Sequence, residues 1–195
     1  MRIIAGTAKG RVLKSLKGRA LRPTSDRMRE SLFSVLGQEL EGAQFLDLYA
    51  GAGTVGLEAL SRGAAQAVFV ESHRPAGRII RENAARCGFA DRIRTIMASV
   101  GPGLALLRRE QAVFDIVFID PPYGSGELGG TMARLAQWPE MLARTGLIVV
   151  QRSRHEDLGE QVGDFVRTRS IRYGDTVIDL YRRATHSTQE QDTSP

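Results

Sequence analysis

The sequence predicts an α/β protein with a mostly parallel central sheet that helices cover on both faces. Three observations lead to this prediction. From residue 45 onward, short apolar runs typical of buried strands alternate with segments of helical periodicity. A glycine-rich stretch lies between the first such strand and its helix. The last two extended segments are joined by Gly174-Asp175, which indicates an antiparallel hairpin that closes the sheet.

The first 25 residues are predicted to form a small basic β-hairpin appendage. Apolar stretches at 3–5 and 12–13 flank Gly6 and Gly10, a pattern that favours a short hairpin. Residues 1–29 carry nine Lys or Arg and one acid, whereas the rest of the chain is slightly acidic, so all of the net charge of +5 lies here. Such a segment indicates a polyanionic partner. Nucleic acid is favoured over a membrane because no amphipathic helix accompanies the charge.

The main domain is predicted to span residues 26–183, and the polar segment 184–195, which lacks periodicity, is expected to be disordered. A first helix follows the capping-rich turn 23–26 and ends near residue 40, with one apolar face that includes Leu32 and Leu36. The strands are predicted at 45–49, 67–71, 92–97, 114–120 and 146–151, the helices at 54–62, 75–87, 101–110 and 130–143, and the hairpin at 165–173 and 176–182.

Composition excludes several classes of protein. No apolar run approaches the roughly 20 residues of a membrane span, and the N-terminus has no signal-peptide core. Cys87 is the only cysteine, which suits a reducing cytoplasm. The three histidines are scattered, so no metal site is predicted. Nothing in the sequence indicates an exposed apolar stripe, and we expect a monomer.

A glycine-rich loop predicts a site for an adenosine-containing cofactor. Gly51, Gly53 and Gly56 form a G-x-G-x-x-G pattern between a strand and a helix, which allows a ligand to approach the backbone closely. Glu71 ends the next strand, 20 residues after Gly51, where a carboxylate can accept the hydroxyls of a ribose. Nicotinamide and flavin dinucleotides remain alternatives. Asp47 favours S-adenosylmethionine, because an acid suits the ligand's cationic amino group and would repel a pyrophosphate.

The segment Asp120-Pro121-Pro122-Tyr123 predicts a binding site for a planar group that bears an amine. It follows the apolar run 114–119, and its prolines end strand pairing and stiffen the turn. A carboxylate, a carbonyl oxygen and an aromatic ring are thereby held close together, which suits a nucleobase. In a parallel sheet, this turn and the glycine loop share the carboxyl edge, so we expect the cofactor and the base to share one cleft.

These residues resemble the amino-methyltransferases, which use S-adenosylmethionine to methylate exocyclic amines of nucleobases or glutamine amides. The segments 2–6, 21–24 and 26–30, with Gly63-Ala64 and Asn83, narrow the resemblance to the bacterial 16S rRNA guanine-N2-methyltransferases of the guanine-966 type. The resemblance covers roughly residues 1–183. It implies a class I methyltransferase (Rossmann-like) fold, a seven-stranded sheet whose last strand is antiparallel, and a pocket partly roofed by residues 22–30.

The resemblance and the residue patterns together assign the site. The predicted catalytic residues are Asp120, Pro121, Pro122 and Tyr123. The predicted cofactor-binding residues are Asp47, Tyr49, Gly51, Gly53, Glu71, Ser99 and Asp120. The predicted RNA-binding residues are Arg2, Lys9, Arg11, Lys14, Arg22 and Arg29. In two places the chain departs from the family: Ser99 stands where an Asp or Asn is usual, and Gln151 stands where a glutamate is expected.

Transfer of a methyl group to N2 of a guanine in 16S rRNA, free or within an assembling 30S particle, is therefore the expected function. Three alternatives stay open on the sequence. Adenine-N6 methylation of DNA or another RNA is compatible with the Asp-Pro-Pro-Tyr segment. A dinucleotide-dependent oxidoreductase is compatible with the glycine loop. A noncatalytic RNA-binding protein could have kept the fold.

Overall fold

A mixed sheet forms the centre of the protein. The computed structural model describes residues 1–16 and 26–184, without the side chains of residues 26 and 27. Within these residues the strands are β1 (Gln44–Leu48), β2 (Gln66–Val70), β3 (Ile93–Ile96), β4 (Phe114–Ile119), β5 (Leu142–Ser153), β6 (Gln161–Val162), β7 (Phe165–Tyr173) and β8 (Thr176–Arg183). Their order across the sheet is β3-β2-β1-β4-β5-β8-β7-β6. The first five strands pair in parallel, and the last three are added antiparallel.

Five α-helices in the described residues cover the two faces of this sheet. They are α1 (Asp26–Leu36), α2 (Thr54–Ser61), α3 (Arg74–Cys87), α4 (Val100–Arg109) and α5 (Glu127–Gln137). Side chains of α1, α2 and α3 share one buried apolar cluster, and those of α4 and α5 share a second. Phe45 and Leu46 of β1 enter opposite clusters, as alternation along a strand requires. The predicted α/β class is confirmed.

The structure differs from the prediction at the last helix and the strand after it. The helix predicted at 130–143 begins three residues earlier, at Glu127, and ends at Gln137, before Pro139, because proline lacks the N–H that a helix needs. The strand predicted at 146–151 is longer, because β5 pairs with β4 on one side and with β8 on the other. The eighth strand is β6, a two-residue edge strand whose length leaves no periodicity to read.

The N-terminal residues 1–16 pack directly on the main domain. Their predicted hairpin pairing is limited to one antiparallel bridge between Arg2 and Val12. Ile3, Ala8 and Leu13 are buried in the same cluster as α1 to α3. The remainder of the predicted appendage, including Arg22, and the tail from residue 185 lie outside the described residues.

Gly6 shows how closely this segment approaches the core. Its φ is +82°, and a Cβ atom built on it would lie 1.7 Å from the backbone oxygen of Ser61. The side chain of Ser61 donates to the Ala5 carbonyl and accepts from the Ala8 amide. Only glycine can occupy position 6 without moving the segment away from α2.

A buried carboxylate on α2 also holds the segment. Glu58 accepts the amides of Ile4 and Ala5 at 2.8 and 3.0 Å. It forms an ion pair with Arg62 at 2.8 Å and another with Arg29 at 3.9 Å. The predicted basic segment is therefore fixed to the protein body by both apolar and charged contacts.

Candidate active site

The ends of four neighbouring strands place the predicted chemistry on one edge of the sheet. In the strand register, Leu48 lies beside Val70 on one side and beside Ile119 on the other, and Ile119 lies beside Val150. The next residue along each strand is therefore at this edge. In order across the sheet these residues are Glu71, Tyr49, Asp120 and Gln151.

A cavity of about 1080 Å³ opens at this edge. Its wall includes the glycine loop, the Asp120–Tyr123 turn and, from α1, Met28 and Arg29. The turn between β7 and β8 completes the wall. Because cavities for one small ligand typically measure about 300–1,000 Å³, this volume suits a cofactor together with part of a second molecule.

The glycine loop leaves backbone open to the cavity. Gly51 has φ +57°, and no atom lies within 4 Å of a Cβ built on it, so a ligand has room beside it. Gly53 begins α2 with φ +75°. Gly56 is required for packing, because a Cβ there would lie 2.4 Å from the ring of Phe69. Two glycines thus shape the turn, and the third lets α2 approach β2.

Glu71 holds the loop through its carboxylate. Its two oxygens accept the amides of Gly51 and His73, both at 2.7 Å. A carboxylate has about four lone-pair sites, so each oxygen can still accept a further hydrogen bond. The predicted role of Glu71, acceptance of ribose hydroxyls, is compatible with this geometry.

Asp47 is a buried acid behind the glycine loop. It is 2% exposed, and its Oδ2 accepts the Gly56 amide at 3.0 Å. The pKa of Asp47 is raised to about 8, mainly by burial and also by the charges of Asp120 and Glu71, although the Gly56 hydrogen bond lowers it. The charges of Asp120 and Glu71, which line the same cavity, thus disfavour the charge of Asp47. A cationic ligand would relieve this repulsion.

Asp120 is held by its neighbour on β5. The amide nitrogen of Gln151 donates to Asp120 Oδ1 at 3.0 Å. Burial raises the pKa of Asp120 to about 7, although the Gln151 hydrogen bond lowers it. Pro121, next in the chain, is buried and lines the cavity. An acid with a pKa near neutrality can hold a donor or accept a proton.

Tyr123 stands at the mouth of the cavity. Its side chain is 42% exposed, and its hydroxyl forms a hydrogen bond with Thr176 Oγ1 at 3.0 Å. Pro122 beside it is exposed, and its carbonyl accepts the Ser125 amide. The polar end of the ring is therefore attached to the β7–β8 turn.

The structure places Tyr49 and Ser99 in the wall of the same cavity. Tyr49 has φ +64°, an uncommon conformation outside glycine. Its hydroxyl forms a 2.7 Å hydrogen bond with Thr131 Oγ1 of α5, and burial raises its pKa. Ser99 precedes α4 and makes no side-chain capping hydrogen bond.

The predicted RNA-binding residues fall into two groups. Arg2, Lys9, Arg11 and Lys14 are exposed, and Lys14 forms an ion pair with Glu82 at 2.5 Å. Arg29 is fully buried, and its guanidinium donates to the Arg2 carbonyl at 3.0 Å. That Arg29 binds RNA stays a prediction; in the structure its buried guanidinium holds the segment that carries Arg2.

Asn83 is a site residue whose part the sequence did not indicate. It is fully buried on α3. Its amide nitrogen donates to the carbonyls of Lys14 and of Ala52 in the glycine loop, at 3.0 and 3.1 Å, and its oxygen accepts the Lys14 amide at 2.8 Å. Asn83 thus links the basic segment to the cofactor loop. In the sequence, Asn83 contributed to the family resemblance, but no pattern there indicated which residues it contacts.

The residues around the cavity fit S-adenosylmethionine. The three acids favour its cationic amino group, the open backbone at Gly51 admits it, and Glu71 has lone pairs for its ribose. Among residues 1–16 and 26–184, no three His, Cys, Asp or Glu side chains are placed to hold a metal ion. No helix in those two ranges is long and apolar enough to cross a bilayer.

Comparisons with known proteins identify the family and the relatives of this chain. The family model described as "Conserved hypothetical protein 95" matches residues 1–182. Ribosomal RNA small subunit methyltransferase D of Escherichia coli strain K12 is 33% identical over 192 residues, which cover 98% of this chain and 94% of that protein. The solved Escherichia coli protein named "Putative methyltransferase yhhF" is 34% identical, with a TM-score of 0.79 over 94% of this chain and 98% of its own.

A more distant solved structure, SMU.776 complexed with SAH, is 14% identical and has a TM-score of 0.63 over 80% of this chain and 49% of its own. At that identity it shows a common fold. The predicted class I methyltransferase fold and the resemblance of the sequence are both confirmed. The chain therefore belongs to the family described as "Conserved hypothetical protein 95", and it is a methyltransferase.

Proposed function

We propose that this protein transfers a methyl group from S-adenosylmethionine to the exocyclic N2 amine of a guanine in 16S rRNA of the small ribosomal subunit. The observation that carries the proposal is that the glycine loop and the Asp120–Tyr123 turn line one cavity. The relatives support the substrate class, since one is named as a small-subunit rRNA methyltransferase. We further propose that the protein acts as a monomer in the cytoplasm, on rRNA free or within an assembling 30S particle.

The cofactor site is assigned to the loop side of the cavity. Asp47 lies where an acid can attract the amino group of the methionyl part, and Glu71 where it can accept ribose hydroxyls. Ser99, at the start of α4, is placed to contact the adenine, and Tyr49, Gly51 and Gly53 shape the floor. When bound, S-adenosylmethionine supplies a methyl group made electrophilic by its sulfonium.

The residues of the Asp120–Tyr123 turn are assigned to the target base. The exocyclic amine of guanine is a poor nucleophile because its lone pair is delocalised into the ring. Asp120 and the Pro121 carbonyl orient this amine and stabilise the positive charge that develops on it, which is where fixed acceptors contribute most. Asp120 can then take the proton that leaves nitrogen. Pro122 stiffens the turn, and Tyr123 stacks on the base.

The basic N-terminal segment is assigned to the RNA backbone. Arg2, Lys9 and Arg11 are exposed, and Lys14 is exposed but paired with Glu82. Phosphate contacts fix orientation without reading sequence. If the target base lies in a paired region, these contacts also help to offset the few kcal/mol that base flipping costs. Arg22 belongs to the same predicted set.

Nucleoside mass spectrometry tests the proposal. We expect 16S rRNA from cells that lack the protein to lose one N2-methylguanosine, and the purified protein with S-adenosylmethionine to restore it. The Asp120→Ala variant should bind RNA normally and restore nothing. The appearance of N6-methyladenosine as the sole product would replace guanine by adenine as the target, and undiminished methylation by Asp120→Ala would remove Asp120 from the mechanism.

A further inference from the structure

Gln151 is a buried polar residue in the wall of the cavity. It is 5% exposed and lies on β5, beside Asp120 at the sheet edge. Its amide nitrogen donates to Asp120 Oδ1 at 3.0 Å. On the other side, its register partner on β8 is Ile178, whose side chain has no hydrogen-bonding group. The amide nitrogen of Gln151 is therefore bound to Asp120, whereas Ile178 offers no partner to its carbonyl oxygen.

The carbonyl oxygen of Gln151 has no hydrogen-bond partner among the described residues and is shielded from solvent. A buried acceptor left in this state costs about 1–3 kcal/mol, and most buried polar atoms in proteins avoid it. Because the cavity wall includes Gln151, a donor from a bound molecule is the available partner. The terminal torsion of glutamine is broad, so the amide group can rotate to meet a donor in the cavity.

The Watson–Crick edge of guanine supplies the matching donor. Its N2 amine and its N1–H lie side by side, so guanine presents two adjacent donors. Asp120 and the Gln151 oxygen are two acceptors on neighbouring strands. Adenine presents an amine beside a bare N1, whose lone pair would face the Gln151 oxygen. Enzymes that flip bases read them through this edge.

We propose that Gln151 determines specificity, its carbonyl oxygen accepting a hydrogen bond from N1–H of the target guanine while its amide nitrogen holds Asp120. The proposal rests on the function proposed above. It also accounts for the departure at position 151, because glutamine keeps the acceptor of a glutamate and adds the donor that Asp120 uses.

The test compares two bases that share the reacting amine. After mass spectrometry has identified the methylated guanine, an RNA fragment is made with guanine or 2,6-diaminopurine at that position. Diaminopurine keeps the 2-amine but has a bare N1. We expect kcat/KM of the unaltered protein to be about 10–100-fold lower on diaminopurine, which is the loss that corresponds to about 1.4–3 kcal/mol. In the Gln151→Met variant, the ratio of kcat/KM on guanine to kcat/KM on diaminopurine should be close to one, mainly because the rate on guanine is lower.

Gln66→Met is the matched control, since Gln66 is exposed at the opposite edge of the sheet, and it should keep the full ratio. Equal rates on the two bases with the unaltered protein would overturn the proposal, whatever the variant does. A ratio that Gln151→Met leaves unchanged would overturn it as well. If the nucleoside analysis that precedes this test finds no N2-methylguanosine that depends on the protein, the proposed function itself is wrong.

Discussion

Asp120 is the residue on which the proposed chemistry depends most directly. Burial raises the pKa of Asp120 to about 7 in the protein without ligands. Only the ionised form can accept a proton from the amine, so the rate should rise with pH below this value and level off above it. A bound cationic cofactor would move the midpoint lower.

Asp120→Asn should lower kcat by roughly 10²–10³, the usual effect of removing one group that stabilises transition-state charge. It should also abolish the rise of the rate with pH. Single-turnover rates between pH 5.5 and 8.5 measure both effects. If the variant keeps the pH profile of the unaltered protein, another group is responsible for the profile.

Substitution of Asp47 should have opposite effects on the stability of the protein and on its binding of S-adenosylmethionine. Because burial raises its pKa to about 8, the folded protein keeps a proton that the unfolded chain releases near pH 4. The free energy of unfolding therefore falls as pH rises between these values. The Asp47→Asn variant does not lose stability in this way as pH rises. Without ligands, it should therefore melt at a higher temperature than the unaltered protein at pH 8.

The same Asp47→Asn variant should bind S-adenosylmethionine about 10–100-fold more weakly, because one charge partner of the amino group is lost, worth about 1.4–3 kcal/mol. Thermal melts and calorimetry of one preparation measure the two quantities. A variant that is both less stable and weaker in binding would show that Asp47 acts only through packing against Gly56.

At the scale of elements, Asn83 joins three pieces of the protein. It bonds the N-terminal segment at Lys14, belongs to α3, and bonds the glycine loop at Ala52. Asn83→Ala should weaken the binding of both the cofactor and RNA. It should also reduce the effect of bound RNA on the affinity for the cofactor. By linkage, the coupling must be equal in both directions.

Titrations of the cofactor with and without RNA, in the unaltered protein and in Asn83→Ala, measure that coupling. Lys14→Ala is the control, because it removes the Lys14 side-chain charge and leaves the backbone bonds to Asn83 intact. Full coupling in Asn83→Ala would mean that the two sites communicate through other contacts.

Most elements were predictable because the buried parallel strands read as nearly continuous apolar runs. The strand boundaries that were wrong depend on tertiary pairing: β5 extends because β8 pairs with it, and the short β6 is defined by its pairing with β7. In the site, Asp47, Glu71 and Asp120 were predictable as polar residues at the ends of apolar strands. Asn83 and Thr131 were not, because their partners are 69 and 82 residues away in the chain.

At the scale of the whole molecule, the excess positive charge of the sequence lies in residues 1–29. The affinity for RNA should therefore fall steeply with salt, with a slope of about −0.7 per phosphate contacted if the RNA is single-stranded. Lys9→Ala and Arg11→Ala should each reduce the slope by about one phosphate contact.

Lys14→Ala should change the slope less, because Lys14 is already paired with Glu82. Arg144→Ala is the control, since Arg144 is exposed near the start of β5, away from the cavity edge. Filter-binding measurements from 50 to 300 mM KCl give the slopes. A common slope for all four variants would mean that RNA is held elsewhere.

The contact at Gly6 offers a way to separate the effect of the charge of the basic N-terminal segment from the effect of its position. Nearly every way of testing a basic segment removes charge and so disturbs long-range attraction as well as docking. A methyl group at position 6 would collide with the backbone of Ser61, yet Gly6→Ala alters no charge. The substituted protein would attract RNA from a distance as before but hold its basic arm in the wrong place. The rate at which RNA meets the protein and the rate at which RNA is then aligned in the site could therefore be measured separately, although the two act together in the native molecule.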